Sequence, residues 1–308
     1  MDKNTQNDVT SKHREEILKY LGKTEEDLAA SVELMKSWFK TQPHLPEVPS
    51  TKKLEFYIVN NTFNLESAKT RIDQFYTLRS TLTVIFDTSN PKSPEQKAAI
   101  DSAQIVPLPK LHDDLYGVIL FKMRENIPVN FDPHWWLGAL VNAHEVKIHE
   151  GLMLNYIVVY DLEHMTLSHL LKISPIFAVN SSKLSENGLG ERLKEMHFIN
   201  CPPFFQIIMN ILRAVMRADF FTRLHIHHTV DTFRERFPSE LLPKDYGGNE
   251  KCMDELEAAW IKKCEEYQEH FDRLDTLRVD ESLRPNPDVP KDLIELGFDR
   301  FRRMFFDL

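Results

Sequence analysis

The residues best suited to chemistry are His225-Ile226-His227-His228, the one metal-like run in this 308-residue sequence. On a strand, His225 and His227 point to one face, an arrangement that can begin a zinc site. No cysteine or acidic residue stands at helical ligand spacing beside them, so no metal is expected. Asp161 and Glu163 flank the end of an apolar run, where acid and base groups often sit. An aspartate capping the following loop is the reading that position favours. Cys201, Cys252 and Cys264 have neither metal nor redox spacing. A sparse, odd set fits a reducing compartment, and Cys201 reads as a small core hydrophobe. There is no G-x-S-x-G elbow, no Walker A loop and no G-x-G-x-x-G; Gly188-Leu189-Gly190 runs on into Glu191-Arg192-Leu193. Nine glycines are too few for a Gly-rich cradle elsewhere. No catalytic residue and no cofactor is therefore expected.

The elements that would hold these residues follow from periodicity. Residues 1 to 90 read helical, with Leu28, Val32, Leu34, Met35 and Trp38 marking the period and Pro43, Pro46 and Pro49 breaking the pattern. A helix resumes from Leu65 through Leu78. Beyond the Pro91–Pro94 loop the texture becomes α/β. Tyr116–Phe121, Leu152–Tyr160, Met196–Ile199 and Leu224–His227 read as strands. Pro133–His149, Thr166–Ile173, Phe177–Leu184 and Phe204–Phe221 read as the helices between them. Such alternation predicts βαβ units and a largely parallel sheet. Glu250 to Phe271 reads as an outer helix. In the tail, Ile294, Phe298, Phe301 and Phe305 share a helical face, which suits packing on the protein's own body better than anchoring in a membrane.

The segment Phe204–Phe221 is apolar on nearly every side. Its polar members Gln206, Asn210, Arg213 and Arg217 fall at i, i+4, i+7 and i+11, one narrow stripe. It is no membrane span, because each charge inside it would cost about 2.5–3.5 kcal/mol at the bilayer centre. It is either a buried core helix or a lid with one side on a cavity and the other open to a membrane surface.

Composition narrows the partners. A net charge of −9 argues against nucleic acid, whose phosphates need a concentrated basic face. It also argues against broad attraction to anionic membranes. The N-terminus has no apolar stretch of the signal-peptide kind, and no run reaches 18 apolar residues. A cytoplasmic monomer with peripheral membrane contact is expected.

Phe63-Asn64-Leu65-Glu66-Ser67-Ala68-Lys69, Tyr160-Asp161-Leu162-Glu163, Leu167-Ser168-His169, Ser174-Pro175, His197-Phe198-Ile199-Asn200-Cys201-Pro202 and Leu241-Leu242-Pro243-Lys244-Asp245-Tyr246-Gly247-Gly248 occur in this order. Together they resemble the CRAL-TRIO lipid-binding family, in its branch of tocopherol and retinaldehyde carriers, from Glu25 to Phe271. The resemblance implies an α/β fold: an N-terminal helical domain (1–92), a CRAL-TRIO lipid-binding domain with a mostly parallel sheet, flanking helices and a lid (93–275), and a tail (276–308). It implies binding and intermembrane transfer of one hydrophobic small molecule rather than catalysis. Carried position by position, it puts the pocket at Trp135, Ala139, Asn142, Tyr156, Tyr160, Ile173, Leu184, Leu189, Leu193 and Met196. The lid falls at Phe204, Phe205, Ile208, Leu212 and Val215. Two tyrosines and Asn142 would suit a ligand with a hydroxyl or carbonyl, such as a retinoid, carotenoid, tocopherol or similar isoprenoid.

One departure bears on membranes. Part of the family reads phosphoinositides through a basic cluster, of which Arg192, Lys194 and Arg223 remain. Asp219 stands where a lysine is expected, and Tyr57-Ile58-Val59-Asn60-Asn61 has no arginine. The competing reading is a lipid-sensing membrane adaptor or phosphoinositide-binding signalling module. A third, an enzyme on a hydrophobic substrate, lacks any motif to carry it.

Overall fold

The computed structural model describes residues 3–113, 115–128, 131–185, 193–215 and 218–285. Six helices come first: α1 (Lys3–Tyr20), α2 (Glu25–Phe39), α3 (Thr51–Asn60), α4 (Leu65–Thr81), α5 (Thr83–Phe86) and α6 (Pro94–Ser102). Their starts are written in the sequence. Thr24 and Asp27 form a capping box on α2, Ser50 caps α3, Asn64 caps α4, and Ser93-Pro94 opens α6. Leu28, Val32, Met35 and Phe39 bury one face of α2, as a 3.6-residue period requires.

A five-stranded sheet follows, with β1 (Ala103–Pro107), β2 (Gly117–Met123), β3 (Tyr156–Asp161), β4 (Leu193–Ile199) and β5 (Leu224–Ile226) lying side by side in chain order. β1 pairs antiparallel with β2; the other three pairings are parallel. Parallel neighbours need long crossovers. These are α7 (Pro133–Glu150), then α8 (Leu167–Leu170) with α9 (Pro175–Lys183), then α10 (Phe205–Val215). Short α11 (Val230–Arg234) leads to α12 (Met253–Glu266) and α13 (Gln268–Leu274). Strand β1 was not anticipated, since Gln104 interrupts an already short apolar run. The outer helix expected over 250–271 is two helices meeting at Tyr267.

The sheet is covered on both faces. One face carries Val118, Leu120, Ile157, Val159 and Ile199 under Phe233, Phe237, Leu241 and Tyr246. The other belongs to the main core, which runs without interruption from Leu54 and Phe56 through Phe121, Val141 and Tyr156. A buried ion pair crosses that core, with Lys53 Nζ of α3 donating to Glu145 Oε1 of α7 at 2.7 Å. The start of the tail folds back onto α4, where Arg284 grips Asp73 at 2.8 Å. The apolar tail face at Ile294, Phe298, Phe301 and Phe305 lies outside the described residues.

Candidate ligand-binding cavity

Between the second sheet face and helices α7, α9 and α10 lies an apolar cavity of about 190 Å³. At about 10–15 Å³ of such space per water, it has the room of roughly 13–19 waters. Strand residues Ile119, Phe121, Tyr156, Val158, Tyr160 and Phe198 form its floor. They alternate along β2 and β3, as a pleated strand dictates. On β4 the alternation slips. The register shifts beside Tyr156/Ile157, so Leu193 pairs with Tyr156 while Glu195 pairs with Ile157. That bulge lets Leu193 and Met196, three residues apart, both reach the cavity. Gly117 keeps the floor open at one end. A Cβ there would sit 2.9 Å from Tyr156 Cε1 and 2.8 Å from Met153 Sδ.

Of the sequence-named pocket residues, Tyr156, Tyr160, Ile173, Leu184, Leu193 and Met196 line this cavity. Leu189 lies outside the described residues. Trp135, Ala139 and Asn142 are corrected: none of them lines it. The inner face of α7 is Trp136, Leu137, Leu140 and His144. Each residue turns a helix by about 100°, so a one-residue error in phase selects a different face. The Trp135 carbonyl instead accepts Gln96 Nε2 at 3.0 Å, and Asn142 donates to the Ser89 carbonyl at 2.6 Å. Ala139 and Asn142 face a second cleft, shared with α6, Trp260 and Cys264 of α12. Trp136, which fills the inner face, had no signal separating it from its neighbour.

Polar atoms in the cavity are few. His144, Tyr156, Tyr160, Ser181 and Ser185 supply them. Tyr160 stacks on Phe198, centroids 5.4 Å apart, and its hydroxyl has no hydrogen-bond partner among the described residues. Burial pushes that hydroxyl up to about 12, so it stays a donor across physiological pH.

Helix α10 closes the cavity. Phe205 packs on Phe198 at 5.0 Å, Ile208 and Leu212 reach the cavity, and Phe204 is half-buried against the main core. Val215 ends the helix, with its side chain outside the described residues. The single helix expected through Phe221 is instead α10 plus a 3-10 segment, Ala218–Arg223. The tighter winding turns the chain back into β5 and brings Phe220 onto the cavity wall. The polar stripe is real: Gln206 and Arg213 both donate to Asn210 Oδ1 on the outer face. Leu167, Leu171, Ile176 and Ile207 are each exposed, Leu171 at 79%.

The remaining sites named from sequence divide. Arg192 lies outside the described residues, and so does the Asp219 side chain. Lys194 is exposed with Nζ 5.4 Å from the Tyr116 ring centre. Arg223 donates to the Leu193 carbonyl at 3.2 Å. Asp161 is structural, accepting the Glu163 N–H at 3.1 Å, Asn200 at 2.9 Å and the Tyr246 hydroxyl at 2.9 Å. Burial, reinforced by Asp161, pushes the Cys201 thiol up to about 11, which keeps it inert. Sequence reasoning missed Glu195 and His197, which the fold brings against His225. Adjacent parallel strands make that cluster, and sequence separation hides it.

Residues 134–248 match the CRAL/TRIO domain. That match covers the second half of the sheet and the helices over the cavity. Residues 24–96 match the Pinta-like UBA domain, within the helical region that precedes it. The mouse alpha-tocopherol transfer protein-like protein is 21% identical over 263 residues, covering 82% of this chain and 73% of its own. The human protein of that name is 22% identical over 252 residues, covering 80% and 72%. Among solved structures, Sfh5 superposes over 68% of this chain and 79% of its own, with a TM-score of 0.46 at 9% identity. No described helix is long and apolar enough to cross a membrane.

Proposed function

We propose that this protein binds one isoprenoid-like molecule carrying a hydroxyl or carbonyl, a retinoid, carotenoid, tocopherol or close relative, and moves it between membranes. The observation that carries this reading is the apolar cavity behind α10 with the Tyr160 hydroxyl unspent inside it. Buried tyrosine hydroxyls want partners, so a polar ligand head would meet Tyr160 while its chain lies along Trp136, Tyr156, Ile173, Leu184, Leu193 and Met196. A lipid with about 20 buried carbons costs on the order of 16 kcal/mol to place in water. Transfer from bilayer to cavity avoids that cost, leaving the opening of Phe204–Phe221 as the barrier. The exposed Leu171, Ile176 and Ile207 supply apolar surface for docking. The protein acts as a cytoplasmic monomer, without cofactor or catalysis, touching membranes only at its periphery. Mass spectrometry of lipid extracted from the purified protein tests this. One isoprenoid alcohol, aldehyde or quinone at near-stoichiometric yield is expected. A phosphoinositide as the sole bound lipid would replace the carrier with the adaptor reading.

A further inference from the structure

Both ends of the lid segment are rooted in the short parallel ladder between β4 and β5. It holds three pairs: Met196 with Leu224, His197 with His225, and Phe198 with Ile226. Residues 200–223 join the end of β4 to the start of β5. Met196 and Phe198 point into the cavity. His197 and His225 lie on the opposite face, joined by His227 just past β5.

The three rings are stacked. His197 lies 4.8 Å from His225 at 20° between planes, and 5.2 Å from His227 at 14°. Face-to-face rings keep their in-plane lone pairs parallel, so they do not converge on one tetrahedral metal. The contacts form a chain instead. His197 Nε2 donates to Glu195 Oε2 at 3.0 Å, since a carboxylate only accepts. His197 Nδ1 is then an acceptor, and His227 Nε2 donates to it at 2.9 Å. Glu195 is also held by Arg236 at 3.2 Å and approached by His225 at 3.6 Å.

The surroundings offer little else. From α11, Thr232 Oγ1 lies 3.4 Å from His227 Nδ1, and Asp231 and Arg234 pair with each other. His112 reaches the Arg236 carbonyl at 3.4 Å. Phe233 and Phe237 pack on His197, and β3 contributes Ile157 and Val159. With all three rings neutral, the cluster carries one anion, Glu195, and one cation, Arg236. A proton on His197 sets its Nδ1–H against the N–H of His227. A proton on His225 puts charge on the face of the same stack. The one facing carboxylate is already shared.

We propose that Glu195, His197, His225, His227 and Arg236 form an acid-sensitive latch on the lid, closed while the histidines are neutral and opened when they take up protons. Opening separates β5, an edge strand of three residues, from β4 and frees the lid's returning end. Burial is the main cause that pushes His197 down to about 4, with His225 adding to it; burial likewise lowers His227. Such groups favour the latched state above the ordinary histidine value near 6.5. The preference fades as pH falls from there toward 4, because the opened segment binds the protons instead. Release would then be favoured at an acidic membrane surface. The latch depends on the carrier reading only for its purpose.

Hydrogen exchange of the full chain, corrected for intrinsic rates, tests it at pH 7.5 and 5.0. Protection over 193–226 should fall by about tenfold or more at the lower pH, while protection over α2 holds. His197→Gln with His227→Gln should remove most of that difference, and His227→Gln alone part of it. Protection that ignores pH, or falls equally in the double variant, overturns the latch. Transfer of retinol between vesicles, followed by its fluorescence, separates this from the carrier proposal. Acid-dependent exchange without acid-accelerated transfer keeps the latch and removes the lid as the gate of release.

Discussion

In the proposed carrier, recognition turns on Tyr160 and Trp136. A Tyr160→Phe variant keeps the ring stacked on Phe198 and deletes one hydroxyl, so its fold should hold. Affinity for a hydroxylated isoprenoid should drop about 5- to 10-fold, the worth of one buried hydrogen bond of about 1–1.5 kcal/mol. Affinity for the matching hydrocarbon should not change. Titration by fluorescence with both ligands checks the difference. Trp136 lines the cavity and Trp135 does not, so a bound polyene should quench chiefly Trp136. Trp136→Phe should remove most of the ligand-dependent quenching, and Trp135→Phe should leave most of it. The reverse result would restore the other face of α7 to the pocket.

Packing between elements depends on one buried pair. Burial would raise the Glu145 carboxyl, but the Lys53 ammonium overrides this and holds it well below its ordinary value, aided by His270. A lowered carboxyl contributes stability that is present above the unfolded value near 4.3 and lost as pH falls through the folded one. Lys53→Met leaves that carboxylate buried with only His270 at 3.2 Å beside it, which should cost about 3–5 kcal/mol. Lys53→Met with Glu145→Leu should recover most of the loss. Urea unfolding of the three proteins measures both values, and a fully additive double variant would show that the pair is not coupled. The start of the lid shows the same economy of contacts. Asn200 sits at φ 52°, a left-handed turn that asparagine tolerates, and its side chain reaches Asp161.

Across the whole molecule, charge and apolar surface are separated. A chain of net charge −9 has no general attraction to anionic membranes, yet Leu167, Leu171, Ile176 and Ile207 are each exposed between α8 and α10 in the chain. Docking through them should be hydrophobic and therefore insensitive to salt. Leu171→Asp with Ile176→Asp should weaken vesicle binding several-fold or more, because about 1.5–3 kcal/mol accompanies each buried leucine or isoleucine. Vesicle flotation at low and physiological salt checks it. Binding that collapses with salt would shift the weight to Lys194 and Arg223.

The sequence by itself determined the alternation of helices and strands from β2 to β5 and the outward polar stripe on α10. It also placed Tyr156, Val158 and Tyr160 on one strand face. These are local matters, settled by period and the alternation of a pleated strand. Only the tertiary structure decided which side of α7 meets the cavity, because Trp135 and Trp136 are equally apolar and the choice depends on what packs around the helix. It alone revealed β1, whose five residues become a strand through pairing with β2. It alone brought Glu195 and His197 against His225, about thirty residues away, since adjacency between parallel strands is a property of the sheet.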